Sequence, residues 1–190
     1  MRKFLRISAL AALALGATAL TAQAQDKATE LTAGVLGLGY TTCSGCDGVF
    51  ELATGGASGG VFSGLGGGSL AAGFYLSPRM AIEPTIAAAV LSGSGETLTI
   101  LSLGLAVPYY FSRGWGRRGP YLAPRVAYNS ISGGGSSASQ VALGLGLGTK
   151  VPLNDMAALR LQANFDYGFE GDFAATTSFG AFFGLSVFLK

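Results

Sequence analysis

The chain has 190 residues, a length that fits one ordinary domain, and its mean hydropathy is +0.47. It contains no histidine, and its 12 Lys and Arg against 10 Asp and Glu give a formal net charge of +2. The 31 glycines disfavour long helices, because a glycine in a helix interior costs about 1 kcal/mol relative to alanine.

The N-terminus carries the pattern of a secretory signal peptide. It begins with three basic residues, continues with an apolar run over 7–20, and ends in an A-x-A cleavage site at 22–24. We therefore assign 1–24 to a signal peptide and 25–190 to one domain. Removal of the three basic residues would change the net charge from +2 to −1, which argues against a nucleic-acid binder held by bulk charge. Beyond this segment no apolar run of about eighteen residues occurs, so no transmembrane helix is predicted.

The rest of the sequence alternates between apolar residues and polar or small residues with a period of two, which is the spacing of an extended strand. In the stretch 156–170, apolar residues such as Leu161 and Phe165 alternate with Gln162 and Asn164. Eight strands are predicted, near residues 29–40, 69–76, 81–90, 101–109, 121–129, 140–148, 156–170 and 179–189. Short turns are predicted at 77–79, 112–119 and 152–155, and loops at 41–67, 92–96, 132–137 and 170–176.

The two faces of these strands differ, and the difference predicts which face is inside. One face carries no charge over seven strands, while the other is mostly Gly, Ala and Ser, with charges at Glu83, Arg125, Lys150, Arg160 and Asp166. Small residues suit the crowded interior of a narrow barrel, and an uncharged face suits lipid, where a midplane Arg or Lys costs about 2 to 4 kcal/mol. Because a bilayer core tolerates no open sheet edge, we predict an all-β fold, a closed, eight-stranded, antiparallel up-and-down transmembrane β-barrel.

The charged residues of the inner face predict an ion-pair layer. If the third, fifth and seventh strands rise from the same end, Glu83, Arg125 and Arg160 lie at similar distances from their turns and meet inside the barrel. Such a layer would neutralise buried charge, and the alternative is a gated ion path. An open diffusion pore is disfavoured, because eight strands leave an interior just wide enough for side chains.

Charge is distributed unequally between the two ends of the predicted barrel. The three short turns contain four arginines and one acid, whereas the four opposite loops contain no Lys or Arg. The acidic residues of the loops are Asp47, Glu51, Glu96, Glu170 and Asp172. An even number of strands returns both termini to one side, so we expect the termini and the short turns in the periplasm. The acidic loops would then face outward and could bind divalent cations.

Five aromatic residues surround the turn after the fourth predicted strand, at Tyr109, Tyr110, Phe111, Trp115 and Tyr121. Aromatic rings prefer the membrane–water interface, so we predict that these residues form part of an interfacial girdle. The arginines beside them offer a second interpretation, nucleic-acid binding, which a secretory signal disfavours.

The sequence CSGCDG holds the two cysteines of the chain, Cys43 and Cys46. A redox motif would open a helix in a βαβ unit, and no such unit is predicted. A zinc site would need two more Cys or His ligands, and the chain has no His. We therefore expect a loop disulfide or two thiols, and neither a metal nor a cofactor.

The signal peptide, the eight alternating segments and the final strand FGAFFGLSVFLK resemble the small outer-membrane β-barrels of the OmpA/OmpX and OmpW type. The resemblance covers residues 25–190 and is one of pattern. It implies a location in the bacterial outer membrane, contact with outer-membrane lipid and lipopolysaccharide, and insertion by the barrel-assembly machinery. In that family the last strand commonly ends in an aromatic residue that the machinery recognises, whereas this chain ends Phe188-Leu189-Lys190. The expected role is structural, or interaction through the acidic loops with an extracellular ligand of unassigned chemistry.

Two other classes of function are weighed against this one. A soluble periplasmic or secreted calyx that binds a small hydrophobic ligand also has eight strands and a signal peptide, but it would turn the charged face to water. An enzyme of this size would need a base, and the histidine that pairs with Ser or Asp in such barrels is missing. We therefore predict a protein that is not an enzyme, and we keep the calyx as the alternative.

Overall fold

The computed structural model describes residues 29–43, 45, 47–54, 68–93, 96–111, 119–172 and 174–189. The predicted signal peptide lies outside these residues. The strands are β1 Thr29–Cys43, β2 Val49–Thr54, β3 Gly68–Ser77, β4 Met80–Gly93, β5 Glu96–Ala106, β6 Tyr109–Tyr110, β7 Gly119–Gly133, β8 Ser136–Pro152, β9 Ala157–Gly168 and β10 Thr176–Leu189. Within the described part of the chain, no helix has the length and apolar character needed to cross a membrane.

The described strands close into a ring. Each long strand pairs antiparallel with its neighbours in the order β1, β3, β4, β5, β7, β8, β9 and β10. Strand β10 then pairs with β1 from Thr29↔Leu189 to Cys43↔Thr176, so the first and last strands meet. Two hydroxyl pairs reinforce this seam at different levels, Thr32–Ser186 at 2.8 Å and Thr41–Ser178 at 3.1 Å. The predicted eight-stranded antiparallel barrel is confirmed.

The barrel has two ends, which we name by what lies there. The described chain begins and ends at one of them, the termini end, together with the β3–β4 turn at 78–79 and the β8–β9 turn at 153–156. The opposite, distal end holds the β7–β8 turn and the described residues of the β9–β10 connection, 169–172 and 174–175.

The position next to β1 in the barrel wall is occupied by two strands, β2 and β3, and not by one. The sequence predicts a loop over 41–67, whereas the structure places β2 inside it, paired with β1 from Leu36↔Thr54 to Thr41↔Val49. Strand β3 pairs with the other end of β1, from Thr29 to Ala33. The sequence does not show this strand because the adjacent residues Val49 and Phe50 are both apolar, although they pair with the inward Thr41 and the outward Tyr40 respectively.

The predicted fourth strand is also divided, because proline interrupts it. Strand β5 ends at Ala106, and β6 resumes after Pro108, which has no N–H to donate to a ladder. Strand β6 pairs with both of its neighbours, through Tyr109↔Met80 and Tyr110↔Tyr121. The barrel wall therefore continues past the break toward the termini end.

Two of the predicted loops are two-residue connections. Strands β7 and β8 extend to Gly133 and Ser136, and the turn between them consists of Gly134 and Gly135 with φ of 57° and 79°. Both values are positive, as a type I′ hairpin turn requires, and glycine adopts them without steric cost. Strands β4 and β5 are likewise separated only by residues 94–95. These two connections are consequently shorter than the sequence predicts.

The alternation sorts the side chains as predicted. Along β9, Arg160 and Gln162 are buried in the barrel interior, whereas Leu161, Phe165 and Tyr167 are exposed on the outer wall. The interior is thus lined by the polar and small residues, and the outer wall is apolar.

Candidate functional site in the barrel interior

A lysine and a glutamate from strands on different sides of the ring meet inside the barrel near the termini end. Lys150 Nζ on β8 lies 2.5 Å from Glu30 Oε2 on β1 and 2.6 Å from the hydroxyl of Tyr110. The hydroxyl of Tyr75 donates to the same carboxylate oxygen of Glu30. Burial of a charge is tolerated when the charge is paired and hydrogen-bonded, and both conditions are met here.

Three tyrosine rings surround this ammonium group. The Lys150 Nζ lies 5.9 Å, 5.2 Å and 5.6 Å from the ring centroids of Tyr75, Tyr110 and Tyr121. The rings also contact one another, with centroid separations of 5.9 Å for Tyr75–Tyr110 and 5.4 Å for Tyr110–Tyr121. Each ring face attracts a cation within about 6 Å, so the three rings add to the attraction of Glu30.

A second ion pair lies beside the first. Arg160 Nη1 on β9 donates to both carboxylate oxygens of Glu83 on β4 at 2.7 Å each. The same guanidinium donates from Nε to the Tyr121 hydroxyl at 2.7 Å and from Nη2 to Gln162 Oε1 at 2.6 Å. Tyr121 therefore links the two ion pairs, because its ring faces Lys150 while its hydroxyl accepts from Arg160.

These side chains form one group, which we call the tyrosine–charge cluster. Its seven members come from seven different strands, and each is at most 3% exposed. They are Glu30, Tyr75, Glu83, Tyr110, Tyr121, Lys150 and Arg160. Ala81, Ala158 and Phe188 pack against the tyrosines in the same buried core. The cluster thus joins most of the ring at one level.

Arg125 lies apart from this cluster. The sequence predicts that Arg125 meets Glu83 and Arg160, but the structure pairs it with Asp166, with Nε 2.7 Å from Oδ1 and a second contact from Nη2 to Oδ2. Arg125, Gly144 and Asp166 share one row across β7, β8 and β9. Strands in a closed barrel are tilted and staggered, so residues equally far from their turns do not lie at the same height.

The glycines of β8 make room for these large side chains. A Cβ at Gly144 would lie 2.8 Å from Arg125 Nε, and one at Gly146 would lie 2.6 Å from Gln162 Nε2. At Gly148 the added atom would lie 2.5 Å from Cζ of Tyr121. The GLGLG sequence therefore alternates outward leucines with positions where side chains from β7 and β9 lie flat over the backbone.

The structure separates the predicted aromatic girdle into two groups. Tyr109 and Phe111 are exposed on the outer wall, as predicted. Tyr110 and Tyr121 instead point inward and belong to the tyrosine–charge cluster. Tyr110 directly follows the outward Tyr109, and Tyr121 pairs with Tyr110 across the ladder, so both lie on the inner face. Trp115 lies outside the described residues.

The remaining predicted residues that the structure describes lie toward the distal end. Cys43 is disulfide-bonded, and Cys46 lies outside the described residues. Glu51 and Glu96 belong to β2 and β5 and not to loops. The other predicted loop acids, Asp47, Glu170 and Asp172, are exposed. Among the described side chains, no three His, Cys, Asp or Glu residues form a group that could hold a metal ion.

Sequence reasoning missed two members of the tyrosine–charge cluster, Glu30 and Tyr75. The alternation places Tyr75 on the inner face, but nothing in the sequence distinguishes it there. Glu30 lies at the start of β1, whose faces are hard to separate because a register shift between Gly34 and Leu36 reverses the alternation. A signal was present all the same, since Lys150 needed an acidic partner inside the barrel.

Both the sequence and the fold are similar to those of known proteins. The sequence matches the family described as outer membrane protein beta-barrel domain over residues 10–186. No curated protein matches the sequence. Among solved structures, Neisserial surface protein A is similar with a TM-score of 0.56 and 16% identity, covering 85% of this chain and 96% of that chain. The attachment invasion locus protein Ail of Yersinia pestis, solved with a heparin analogue, is similar with a TM-score of 0.52 and 9% identity, covering 87% and 100%.

These likenesses show the fold, and the family match covers most of the chain. The outward-facing apolar wall fits a lipid environment and does not favour the soluble calyx. The predicted resemblance and the predicted location in the bacterial outer membrane are both confirmed. The chain belongs to the outer membrane protein beta-barrel domain family.

Proposed function

We propose that this outer-membrane protein is a closed, non-conducting barrel whose interior is filled by the tyrosine–charge cluster. Its role would then be structural, or exerted through its distal surface, and not transport through an open pore. The observation that carries the proposal is the near-complete burial of seven large side chains from seven strands at one level. An interior of eight strands is just wide enough for such a filling.

The bonding within the cluster favours charge neutralisation over a gated ion path. Two cations, Lys150 and Arg160, are matched by two carboxylates, those of Glu30 and Glu83. Each cation also contacts at least one tyrosine, so an ion crossing this level would have to separate several partners at once. Breaking a buried pair is costly, because it leaves an uncompensated charge.

Planar-bilayer recordings test this proposal. The wild-type protein is expected to give no large, steady conductance. The double variant Tyr75→Ala, Tyr110→Ala removes two rings from the cluster and is expected to raise the conductance. Tyr109→Ala is the matched control, because Tyr109 adjoins Tyr110 on β6 but faces outward. A large, steady wild-type conductance would contradict the proposal, and so would equal conductance in the two variants.

We also propose an orientation and a set of partners. The termini end would face the periplasm and the distal end the outside, where the exposed acids Asp47, Glu170 and Asp172 would meet lipopolysaccharide. The apolar outer wall would contact membrane lipid, and the barrel-assembly machinery would insert the chain. Protease added to intact cells tests the orientation, since only the distal connections should be cleaved.

A role without catalysis is part of the same proposal. The chain has no histidine, and three carboxylates of the interior, those of Glu30, Glu83 and Asp166, are each paired with a Lys or Arg. A carboxylate that is buried in the barrel and already bonded to a cation is poorly placed to exchange a proton with a substrate.

A further inference from the structure

The outer wall of the barrel changes from apolar to polar toward the distal end of β5, β7 and β8. Thr99 pairs with Ser132 and Ser132 pairs with Ser137, so these three residues form one row across the three strands. All three are exposed. Ser130 lies on the same face of β7, two residues nearer the middle of the strand, and is half-buried. We call Thr99, Ser130, Ser132 and Ser137 the hydroxyl patch.

The hydroxyl patch is continuous with the apolar wall. Further toward the termini end, the same face of the three strands carries Leu101, Leu103, Val126, Tyr128, Val141 and Leu143. An aromatic ring such as that of Tyr128 prefers the membrane–water interface, and a hydroxyl group buried in an apolar medium without a partner costs free energy. The hydroxyl patch therefore lies at the level of the lipid headgroups, just beyond the hydrocarbon layer that the apolar wall contacts.

The outer face of β7 and β8 is different at the termini end. The outward positions there hold Pro120 and Leu122 on β7 and Thr149 and Val151 on β8, and among these four only Thr149 carries a hydroxyl. The two strands thus present hydroxyl groups to one leaflet and mostly apolar side chains to the other. An outer membrane has a matching inequality, because the sugar-rich headgroups of lipopolysaccharide lie in its outer leaflet.

The chemistry of the hydroxyl patch suits a headgroup that carries both sugars and phosphates. Each serine or threonine hydroxyl can donate one hydrogen bond and accept others, so it can bond to sugar hydroxyls as well as to phosphate oxygens. None of the four side chains is charged, so none repels a phosphate. Neighbouring strands are about 5 Å apart, so a headgroup that lies across the strands can contact more than one hydroxyl of the row.

We propose that the hydroxyl patch binds the headgroup of lipopolysaccharide. The proposal rests on the orientation proposed above, in which the distal end faces outward, and it names the side chains that make the contact. The exposed acids of the distal end cannot make the same contact directly, because a carboxylate repels a phosphate unless a cation lies between them. The hydroxyl patch needs no such cation.

Thermal unfolding in the presence of lipopolysaccharide tests the hydroxyl patch. The purified protein in detergent micelles is titrated with lipopolysaccharide, and the folded fraction is read at each temperature from its mobility on a gel. A ligand that binds the folded barrel raises its Tm. The triple variant Thr99→Val, Ser132→Ala, Ser137→Ala removes the three hydroxyls of the row. It should need about tenfold more lipopolysaccharide for the same rise in Tm, because three hydrogen-bonding groups are lost.

Thr149→Val is the matched control, because it removes an outward hydroxyl from the other end of β8, and it should respond like the parent protein. Ser132→Asp is a second variant, which keeps the hydroxyl patch polar but adds a charge that repels phosphate, and it should also weaken the response. Equal responses of the parent protein and the triple variant would overturn the proposal. An equal rise in Tm with phosphatidylethanolamine, which has a phosphate but no sugar, would overturn it as well.

The titration and the orientation are tested separately. A micelle has no inner and outer side, so the titration reports on the hydroxyl patch alone. Protease added to intact cells reports on the orientation, and cleavage at the termini end would contradict the orientation even where the titration gives the expected result.

Discussion

Lys150 Nζ lies 2.5 Å from Glu30 Oε2, although 120 residues separate the two along the chain. The contact joins β8 to β1 across the interior, so it can form only when the ring has closed. Strand pairing joins only neighbouring strands, whereas this ion pair fixes the distance between β8 and β1, which are not paired with each other. We infer that it specifies one closed arrangement of the strands.

Substitution of either partner should destabilise the barrel. Lys150→Met or Glu30→Gln leaves one buried group without its partner, and each is expected to lower the free energy of unfolding by about 3 to 5 kcal/mol. The double variant should lose clearly less than the sum, because no unpaired charge remains. Urea unfolding in detergent micelles measures all three. Additive losses would show that the two groups do not interact.

Arg160→Lys should be destabilising although it keeps the charge. The guanidinium reaches Glu83, Tyr121 and Gln162 from three different nitrogens, and an ammonium group cannot reproduce that planar fork. We expect a loss of about 1 to 3 kcal/mol in the same unfolding measurement. Arg79→Lys is the control, because Arg79 Nε has no hydrogen-bond partner in the described part of the protein, so this substitution removes no bond of that nitrogen and should not lower the free energy of unfolding by more than about 0.5 kcal/mol. Similar effects of the two substitutions would contradict this account.

Gly146→Ala should perturb the interior. The added methyl group would lie 2.6 Å from Gln162 Nε2, so the Gln162 side chain would have to move. We expect destabilisation by about 1 to 3 kcal/mol, as for other overpacked sites. Leu145→Val changes the neighbouring residue on the outer face and should shift the free energy of unfolding by no more than about 0.5 kcal/mol. If Gly146→Ala lowers the free energy of unfolding no more than Leu145→Val does, the Gln162 side chain does not pack against the backbone of Gly146.

The cysteine pair should be oxidised in the protein isolated from the outer membrane. Cys43 is disulfide-bonded at the end of β1, and the chain has one other cysteine. After unfolding without reductant, iodoacetamide should therefore add nothing to the mass, whereas after reduction it should alkylate both cysteines. Mass spectrometry reads both outcomes. Alkylation of the unreduced protein would mean that the two thiols are free.

The sequence predicted the ring and the sorting of its faces because both follow from a period of two, which is a local property. The Glu83–Arg160 contact could be anticipated in the same way, as two opposite charges on the inner face. Arg125 could not be placed, because its height depends on the stagger between strands. Stagger is set by pairing over the whole ring and leaves no local pattern.

Other features were hidden for different reasons. Strand β2 is hidden because the adjacent residues Val49 and Phe50 are both apolar although pairing places them on opposite faces, so the polar–apolar alternation that identifies a strand is absent. Composition predicts Tyr110 and Tyr121 at the membrane interface, whereas the alternation along their own strands places them inside the barrel. For these two residues, position in the alternation decides the environment, and residue type does not.

The central claim is that the apolar wall faces lipid and the other face is enclosed, and fluorescence quenching by brominated lipid tests it most directly. Phe179 and Phe182 lie on β10, the first 54% exposed and the second 5% exposed. In a Trp115→Phe background, Phe179→Trp and Phe182→Trp each give a protein with a single tryptophan. The two positions are three residues apart on the same strand but lie on opposite faces. Lipid with brominated acyl chains should quench the tryptophan at 179 strongly and the one at 182 weakly. Equal quenching, or stronger quenching at 182, would contradict the assignment of the two faces.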